Sequence, residues 1–105
     1  MSTRLTKTLA AAGCEDILVT LDEEGARPFT ELAREVEDKS TANRALKRLV
    51  DAGLVERHVL QDRLRSVEYE LTDRGKEVAE IARRLRTIER SILGRERAGG
   101  RGGQR

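Results

Sequence analysis

The sequence predicts a mainly α-helical protein with one small β-hairpin. Apolar residues recur at helical spacing along most of the chain, and they alternate with polar residues only between Val55 and Leu71. Hydrophobic residues make up 37% of the 105 residues, and the aromatic share is 2%, contributed by Phe29 and Tyr69. The core must therefore consist of Leu, Ile, Val and Ala, which favours helices. This length predicts a single domain that folds without a metal or a disulfide.

The N-terminal third predicts two helical segments separated by a glycine. Residues 3–12 place leucines at helical spacing, Gly13 interrupts the pattern, and residues 14–21 continue with a buried aliphatic stripe. The acidic run that follows ends at Gly25, a residue suited to the position just past a helix.

Two more helices and a tight corner follow. Thr30 is a candidate N-cap for a short helix over residues 31–37, and Ser40 is a candidate N-cap for a helix over residues 41–52. Gly53 ends that helix because glycine adopts a positive φ without strain. Counted from the helix over residues 14–21, the helix at about residues 40–52 is the third. We expect the helices to pack around a shared aliphatic core: Leu18, Leu21, Leu32, Val36, Leu46 and Leu49.

The hairpin and a long last helix complete the predicted domain. Residues 55–60 and 66–71 alternate apolar with polar residues, and a polar tip over residues 61–65 joins them. Thr72 is a candidate N-cap for a helix over residues 73–93. Residues 1–93 are thus predicted to form one domain, and the Arg- and Gly-rich residues 94–105 are predicted to be a disordered tail.

The last helix carries an apolar stripe that predicts a homodimer. Five of its residues are spaced alternately three and four apart, which is the seam pattern of a coiled coil: Val78, Ile81, Leu85, Ile88 and Ile92. Pairing with a second copy would remove these side chains from water. The alternative is that the stripe folds back onto its own domain.

The net charge of +2 conceals an uneven distribution of charge along the chain. Residues 1–38 carry a net charge of −5 and residues 39–105 carry +7. The arginines on the polar side of the last helix are expected to form a solvated face, with some within reach of phosphate. A basic C-terminal two thirds is the distribution expected of a nucleic-acid binder.

The order helix, helix, corner, helix, hairpin, helix predicts a winged helix-turn-helix (α-α-α-β-β-α) with a long C-terminal helix. Packing leaves one face of the third helix exposed, with cations and an amide suited to the DNA major groove. The residues that point away from the buried stripe are Thr41, Arg44, Lys47, Arg48 and Asp51, with Asn43 at its edge, and the candidates for DNA contact among them are Thr41, Asn43, Arg44, Lys47 and Arg48. Arg63 and Arg65 at the hairpin tip are candidates for contact with the adjacent minor groove or backbone. A merely solvated surface is the alternative for both sets.

Three stretches of sequence resemble the HxlR-type and MarR-type winged-helix transcription regulators. Residues 53–57 read Gly-Leu-Val-Glu-Arg, residues 67–75 read Val-Glu-Tyr-Glu-Leu-Thr-Asp-Arg-Gly, and residues 28–32 read Pro-Phe-Thr-Glu-Leu. The resemblance covers about residues 14–85 and implies a homodimeric regulator that binds double-stranded DNA. It assigns base reading to the third helix and the wing role to the hairpin tip. The residues so assigned are Ser40, Thr41, Asn43, Arg44, Lys47 and Arg48, with Arg63 and Arg65 in the wing.

The sequence indicates no enzyme, cofactor or metal site. His58 is the single histidine and Cys14 the single cysteine, which is too few for a zinc site of cysteines and histidines or for a catalytic pair. We expect Cys14 to be a buried thiol, although the resemblance also allows a redox role. No stretch predicts a signal peptide or a membrane span, so a soluble, cytoplasmic protein is expected. The sequence leaves a small-molecule effector unassigned.

Two other functions fit the same features. The basic residues and the Arg-Gly tail would also suit an architectural, chromatin-type protein that binds DNA without sequence preference. The acidic N-terminal third would suit a protein-interaction module that uses the winged fold as a scaffold.

Overall fold

The computed structural model describes the backbone of residues 4–103 and the side chains of residues 4–94. It confirms the predicted mainly helical, winged fold with a long C-terminal helix. The elements in chain order are α1 (Arg4–Ala10), α2 (Cys14–Glu24), β1 (Arg27–Pro28), α3 (Phe29–Ala33), α4 (Lys39–Asp51), β2 (Val55–Val59), β3 (Val67–Leu71) and α5 (Asp73–Gly103).

Gly13 separates α1 from α2 and lets the chain approach its neighbours closely. Its φ is +83°, in the left-handed region that favours glycine. A Cβ at this position would lie 3.1 Å from a methyl group of Val36 and 3.2 Å from one of Thr41. The glycine therefore serves both the turn and the packing of the following helices against it.

The corner before α4 differs from the prediction in which residue caps the helix. The N-cap is Asp38 rather than Ser40, because its extended backbone directs the carboxylate toward the first turn. The Thr41 amide donates to Asp38 Oδ1 at 2.7 Å, and this backbone hydrogen bond is the main reason that the pKa of Asp38 lies below its usual value. The helix before the corner, α3, begins at Phe29, two residues earlier than expected.

The sheet has three antiparallel strands in the order β1-β3-β2, one more than the predicted hairpin. Strands β2 and β3 pair from Val55 opposite Leu71 to Val59 opposite Val67. In β1, Arg27 lies opposite Tyr69. This strand has only two residues, one of them Pro28, so the sequence shows no alternation that could have predicted it.

The core lies between the helices and the inner face of the sheet. Of the residues predicted to fill it, Leu18, Leu21, Leu32, Leu46 and Leu49 are buried, and Val36 packs partly buried against them. Val50, which the helical spacing also predicts to be buried, is exposed. It lines a groove between α4 and the sheet instead.

Helix α5 begins inside the domain. The Thr72 hydroxyl accepts a hydrogen bond from the Gly75 amide at 3.0 Å, as expected of its N-cap, and donates one to the Gly53 carbonyl at 2.7 Å. A Cβ at Gly75 would overlap the carbonyl oxygen of Leu54, so the first turn of α5 touches the backbone of the residue just before β2. This close approach fixes where α5 leaves the hairpin.

The end of α5 is ten residues later than predicted. Its helical backbone continues to Gly103, whereas the sequence predicts an end near residue 93 and a disordered tail over residues 94–105. Residues 95–98 are mostly good helix formers and extend a helix that is already nucleated, whereas helix propensity does not explain the helical backbone of the glycine-rich residues 99–103. In the part of the chain that the structure describes, no helix is both long and apolar enough to span a membrane.

Ion pairs between α2 and α5 bring acidic residues of the N-terminal third next to basic residues of the C-terminal part of the chain. Arg83 Nη1 lies 2.9 Å from Asp22 Oδ2, and the Arg86 guanidinium binds both Glu15 and Asp16. Arg83 is exposed, as predicted for the polar side of this helix, and Arg86 is half-buried, but both guanidinium groups are paired with carboxylates of α2. Acidic residues of the N-terminal third stabilise the packing of α5 within the same chain.

Candidate nucleic-acid interface

The outward face of α4 carries most of the residues that the sequence assigns to DNA contact. Four apolar residues turn inward at helical spacing: Ala42, Ala45, Leu46 and Leu49. Their burial leaves Ser40, Asn43, Arg44, Lys47 and Arg48 exposed and Thr41 half-buried. The predicted residues thus occur together on one accessible surface.

The cations of α4 are not neutralised by carboxylates within residues 4–94. Arg44 makes one long hydrogen bond, from Nη2 to Thr41 Oγ1 at 3.5 Å. No ion pair in that range involves Arg44, Lys47 or Arg48. Three of the four positive side chains on this 13-residue helix, Arg44, Lys47 and Arg48, are therefore available on this face to an anionic partner.

A groove of about 380 Å³ separates α4 from the inner face of the sheet. Asn43 and Lys47 lie on its helical side, and Arg57 and Tyr69 lie on its sheet side. Arg57 and Tyr69 are not among the site residues that the sequence predicts. Their place in the alternating pattern of the strands puts them on the same face as Val55, which was the available signal.

Basic residues of α1 extend the positive surface beyond α4. Arg4 and Lys7 line a shallow pocket of about 300 Å³ together with Arg48 and Asp51. This contribution is not among the sequence predictions, because the net charge of residues 1–38 is negative and conceals the two cations. The spacing of three residues places Arg4 and Lys7 on one side of a helix, which was the available signal.

The wing tip is a hydrogen-bonded turn that exposes Arg63 and Arg65. The Leu60 amide donates to the Ser66 carbonyl at 2.7 Å, and the Ser66 amide donates to Asp62 Oδ1 at 3.0 Å. The latter bond is the main cause of the lowered pKa of Asp62. Within residues 4–94 this carboxylate pairs with neither arginine, so both cations project from the tip.

Arg65 adopts an unusual backbone conformation within that turn. Its φ of +51° is the one positive φ among the described residues that are not glycine. The left-handed residue closes the turn, with its amide donating to the Asp62 carbonyl at 3.2 Å. The turn therefore fixes the direction of the backbone beside the exposed guanidinium.

The apolar stripe of α5 is exposed for most of its length. Between 45% and 57% of the surface of Ile81, Leu85, Ile88 and Ile92 is accessible. Val78 does not belong to this surface, because it is only 9% exposed and packs in the domain's own core near the start of α5. The proposed seam therefore begins at Ile81 rather than at Val78.

Cys14 and His58 lie in different environments. Cys14 is fully buried at the start of α2, as expected, and its thiol donates to the Ala45 carbonyl at 3.7 Å. Burial is the main cause of the raised pKa of this thiol. His58 is half-exposed on β2, where its Nε2 lies 3.2 Å from Glu70 Oε1. The two residues are not brought together.

A family model described as HxlR-like helix-turn-helix matches residues 15–97. The chain belongs to the HxlR-like helix-turn-helix family. The match includes α4, the hairpin and the part of α5 that carries the exposed stripe. HxlR-like proteins are transcription regulators, so this chain is a winged-helix regulator by family.

Solved structures support the same winged-helix fold. The chain is similar to ytfH of Salmonella typhimurium, assigned as a transcriptional regulator, with 24% identity, a TM-score of 0.77, and coverage of 90% of this chain and 86% of that chain. It is also similar to the MarR family regulator SPO1453 of Silicibacter pomeroyi, with 26% identity, a TM-score of 0.64, and coverage of 77% and 57%. A third similar structure is the adhesin competence repressor AdcR of Streptococcus pyogenes, with 21% identity, a TM-score of 0.70, and coverage of 79% and 61%. No curated protein matches this HxlR-like sequence.

Proposed function

We propose that the chain is a homodimeric, sequence-specific regulator that places the exposed face of α4 in the major groove of double-stranded DNA. The observation that carries the proposal is the surface of α4, where an amide and three cations without acidic partners in residues 4–94 share one side of a capped helix. A helix of this kind fits the width of the groove.

The side chains of α4 match the chemistry of base edges. Arg44 and Arg48 can each pair with guanine through two hydrogen bonds, and Asn43 can pair with adenine in the same way. Lys47 and Ser40 suit contacts with phosphate, which fix the position of the helix along the duplex. Arg4 and Lys7 extend the positive surface toward a neighbouring phosphate.

The wing supplies a second contact in this proposal. Arg63 and Arg65 project from a turn that hydrogen bonds hold in place, at the far end of the hairpin from the core. A cation at such a tip can enter a narrow minor groove or bind the backbone beside it. Both contacts would be salt-dependent.

Dimerisation through α5 would make the regulator two-fold symmetric. The exposed stripe from Ile81 to Ile92 spans about three helical turns, and pairing it with a second copy would bury four large aliphatic side chains. A symmetric dimer reads two half-sites about one helical turn of DNA apart. The preferred site would then be an approximate palindrome. A DNA-binding role also fits the predicted cytoplasmic location.

Selection of binding sites from a random duplex library tests the proposal directly. The expected result for the original chain is a palindromic consensus. The Asn43→Ala and Arg44→Ala variants are each expected to lose base preference at defined positions of the half-sites. Arg90→Ala is the matched control, because Arg90 is an exposed arginine of α5, a helix that contributes no residue to the α4 face. Failure to enrich any consensus would contradict sequence-specific binding.

Binding without sequence preference is the second candidate function. The basic pocket of α1 favours it, since Arg4 and Lys7 lie outside the helix that would read bases. Uniform affinity for unrelated duplexes, with a steep dependence on salt, would support it over specific recognition. The protein-interaction alternative rests on the acidic N-terminal third, of which the residues in α2 pair with Arg83 and Arg86 of the same chain.

A further inference from the structure

The outer face of the β2–β3 hairpin carries a cluster that the DNA-binding proposal does not use. Glu56 and His58 alternate with Arg57 on β2, so their side chains lie on the face opposite to the groove beside α4. In the strand register, Glu56 lies opposite Glu70, and His58 lies opposite Glu68. One imidazole and three carboxylates therefore share a small area of this face.

Three of these side chains converge. Glu56, His58 and Glu70 each offer one ligand atom, and these atoms all lie within 4.8 Å of one another. The closest two are His58 Nε2 and Glu70 Oε1, at 3.2 Å. Atoms this close together can surround a single ion, and zinc binds imidazole and carboxylate groups at metal–ligand distances of about 2.0–2.2 Å.

The pairing of Glu56 with Glu70 is unfavourable without a cation. Like charges directly opposite one another destabilise an antiparallel pair of strands. Within residues 4–94, Glu56 has no ion pair, and Glu70 pairs only with His58, a partner that is positive only when protonated. A divalent cation between the two carboxylates would replace this repulsion with attraction.

We propose that Glu56, His58 and Glu70 form a binding site for a divalent transition metal of the zinc class on the outer face of the wing. The imidazole favours zinc and its neighbours over magnesium and calcium, which prefer oxygen ligands alone. Two carboxylates neutralise the charge of the dication, and three protein ligands leave a coordination position for water. The metal would bind the neutral imidazole, so it competes with the His58–Glu70 ion pair.

Metal at this site would link the two strands of the wing. Its ligands come from β2 and β3, and both strands lead into the tip that carries Arg63 and Arg65. A metal ion that binds the folded hairpin and not the open one would stabilise the folded hairpin. The proposal does not depend on DNA binding, and each can be tested without the other.

The single histidine makes the test specific. We would titrate the untagged full chain with zinc chloride and follow the imidazole nitrogens of His58 by NMR, with calorimetry for affinity and stoichiometry. The expected result is one zinc ion per chain, reversal by a chelator, and a change in the signal of the bound ring nitrogen. Binding of zinc without any change in the His58 ring would overturn the assignment.

Variants distinguish the built site from a lone imidazole. Glu56→Gln and Glu70→Gln remove one ligand charge each from exposed positions, and each is expected to weaken zinc binding by about tenfold or more. Glu35→Gln is the matched control, because Glu35 is an exposed glutamate without an ion pair in residues 4–94, and it is expected to leave affinity unchanged. Affinity equal to that of the original chain in both ligand variants would overturn the proposal, as would tight binding by His58→Ala.

Discussion

Arg86 of α5 binds Asp16 of α2, with 2.5 Å between Nη2 and Oδ1. The same guanidinium also contacts the Glu15 carboxylate, and its hydrogen bond to Glu15 is the main reason that the pKa of Arg86 is raised. These residues are about seventy positions apart in the chain. The contact therefore joins the acidic start of the domain to the helix that carries the proposed dimer seam.

Replacing Arg86 with alanine should weaken the packing of α5 on α2. The variant loses both carboxylate contacts, and we expect the free energy of unfolding to fall by about 1 kcal/mol, the upper end for a partly exposed ion pair. Urea denaturation at low and high salt measures this. Arg90→Ala, on the same helix but without an ion pair in residues 4–94, should change little. An equal loss of unfolding free energy in both variants would show that the contacts of Arg86 with α2 do not stabilise the fold.

Replacing each of two glycines of α5 with alanine should change the free energy of unfolding in opposite directions. A Cβ at Gly75 overlaps the Leu54 carbonyl, so Gly75→Ala should lower the free energy of unfolding by about 2 kcal/mol or more. Gly94 faces open space, so Gly94→Ala should raise it by up to about 1 kcal/mol through helix propensity. Thermal unfolding at one protein concentration compares them. Tolerance of alanine at Gly75 would contradict the close approach of α5 to β2.

The cap of α4 predicts part of the acid sensitivity of the fold. Because hydrogen bonding lowers the pKa of Asp38 in the folded state, its contribution to stability is present above the pKa of the unfolded chain and is lost as the pH falls through the lowered value. Asp38→Asn keeps a capping oxygen without an ionisable group. We expect its stability to depend less on pH in the acid range than that of the original chain. Identical acid unfolding profiles would contradict this role.

A charge within the exposed stripe should prevent dimerisation. Ile88→Glu places a carboxylate in the middle of the apolar surface, where burial against a second copy would be costly. Sedimentation should show the mass of one chain for this variant and of two for the original. Arg90→Glu is the control, because position 90 lies about half a turn from the stripe. A monomeric original chain, or an Ile88→Glu variant that remains dimeric, would contradict the seam.

Periodicity in the sequence was sufficient to predict the parts of the fold that repeat locally. The spacing of Ala42, Leu46 and Leu49 predicted both the buried face of α4 and the polar face opposite. Alternation between Val55 and Leu71 predicted β2, β3 and their connection. These patterns depend on neighbours within a few residues, so a single sequence contains them.

Features that depend on distant contacts could not be predicted in the same way. Strand β1 has two residues and exists because Arg27 lies beside Tyr69, far along the chain. The 3-4 spacing could not show that Val78 packs within its own domain while Ile81 remains exposed, since both fit the same heptad. The ion pairs between α2 carboxylates and Arg86 also form only in the tertiary fold. They show that part of the acidic charge of the N-terminal third pairs with basic charge of α5.

The most direct test of the central proposal is the affinity of the Arg44→Ala variant for the selected duplex and for its single-base variants, measured by fluorescence anisotropy. Loss of a base contact by Arg44 should weaken binding to the selected site by about 1–3 kcal/mol and remove discrimination at one base pair in each half-site. Unchanged affinity and unchanged discrimination would contradict the placement of α4 in the major groove.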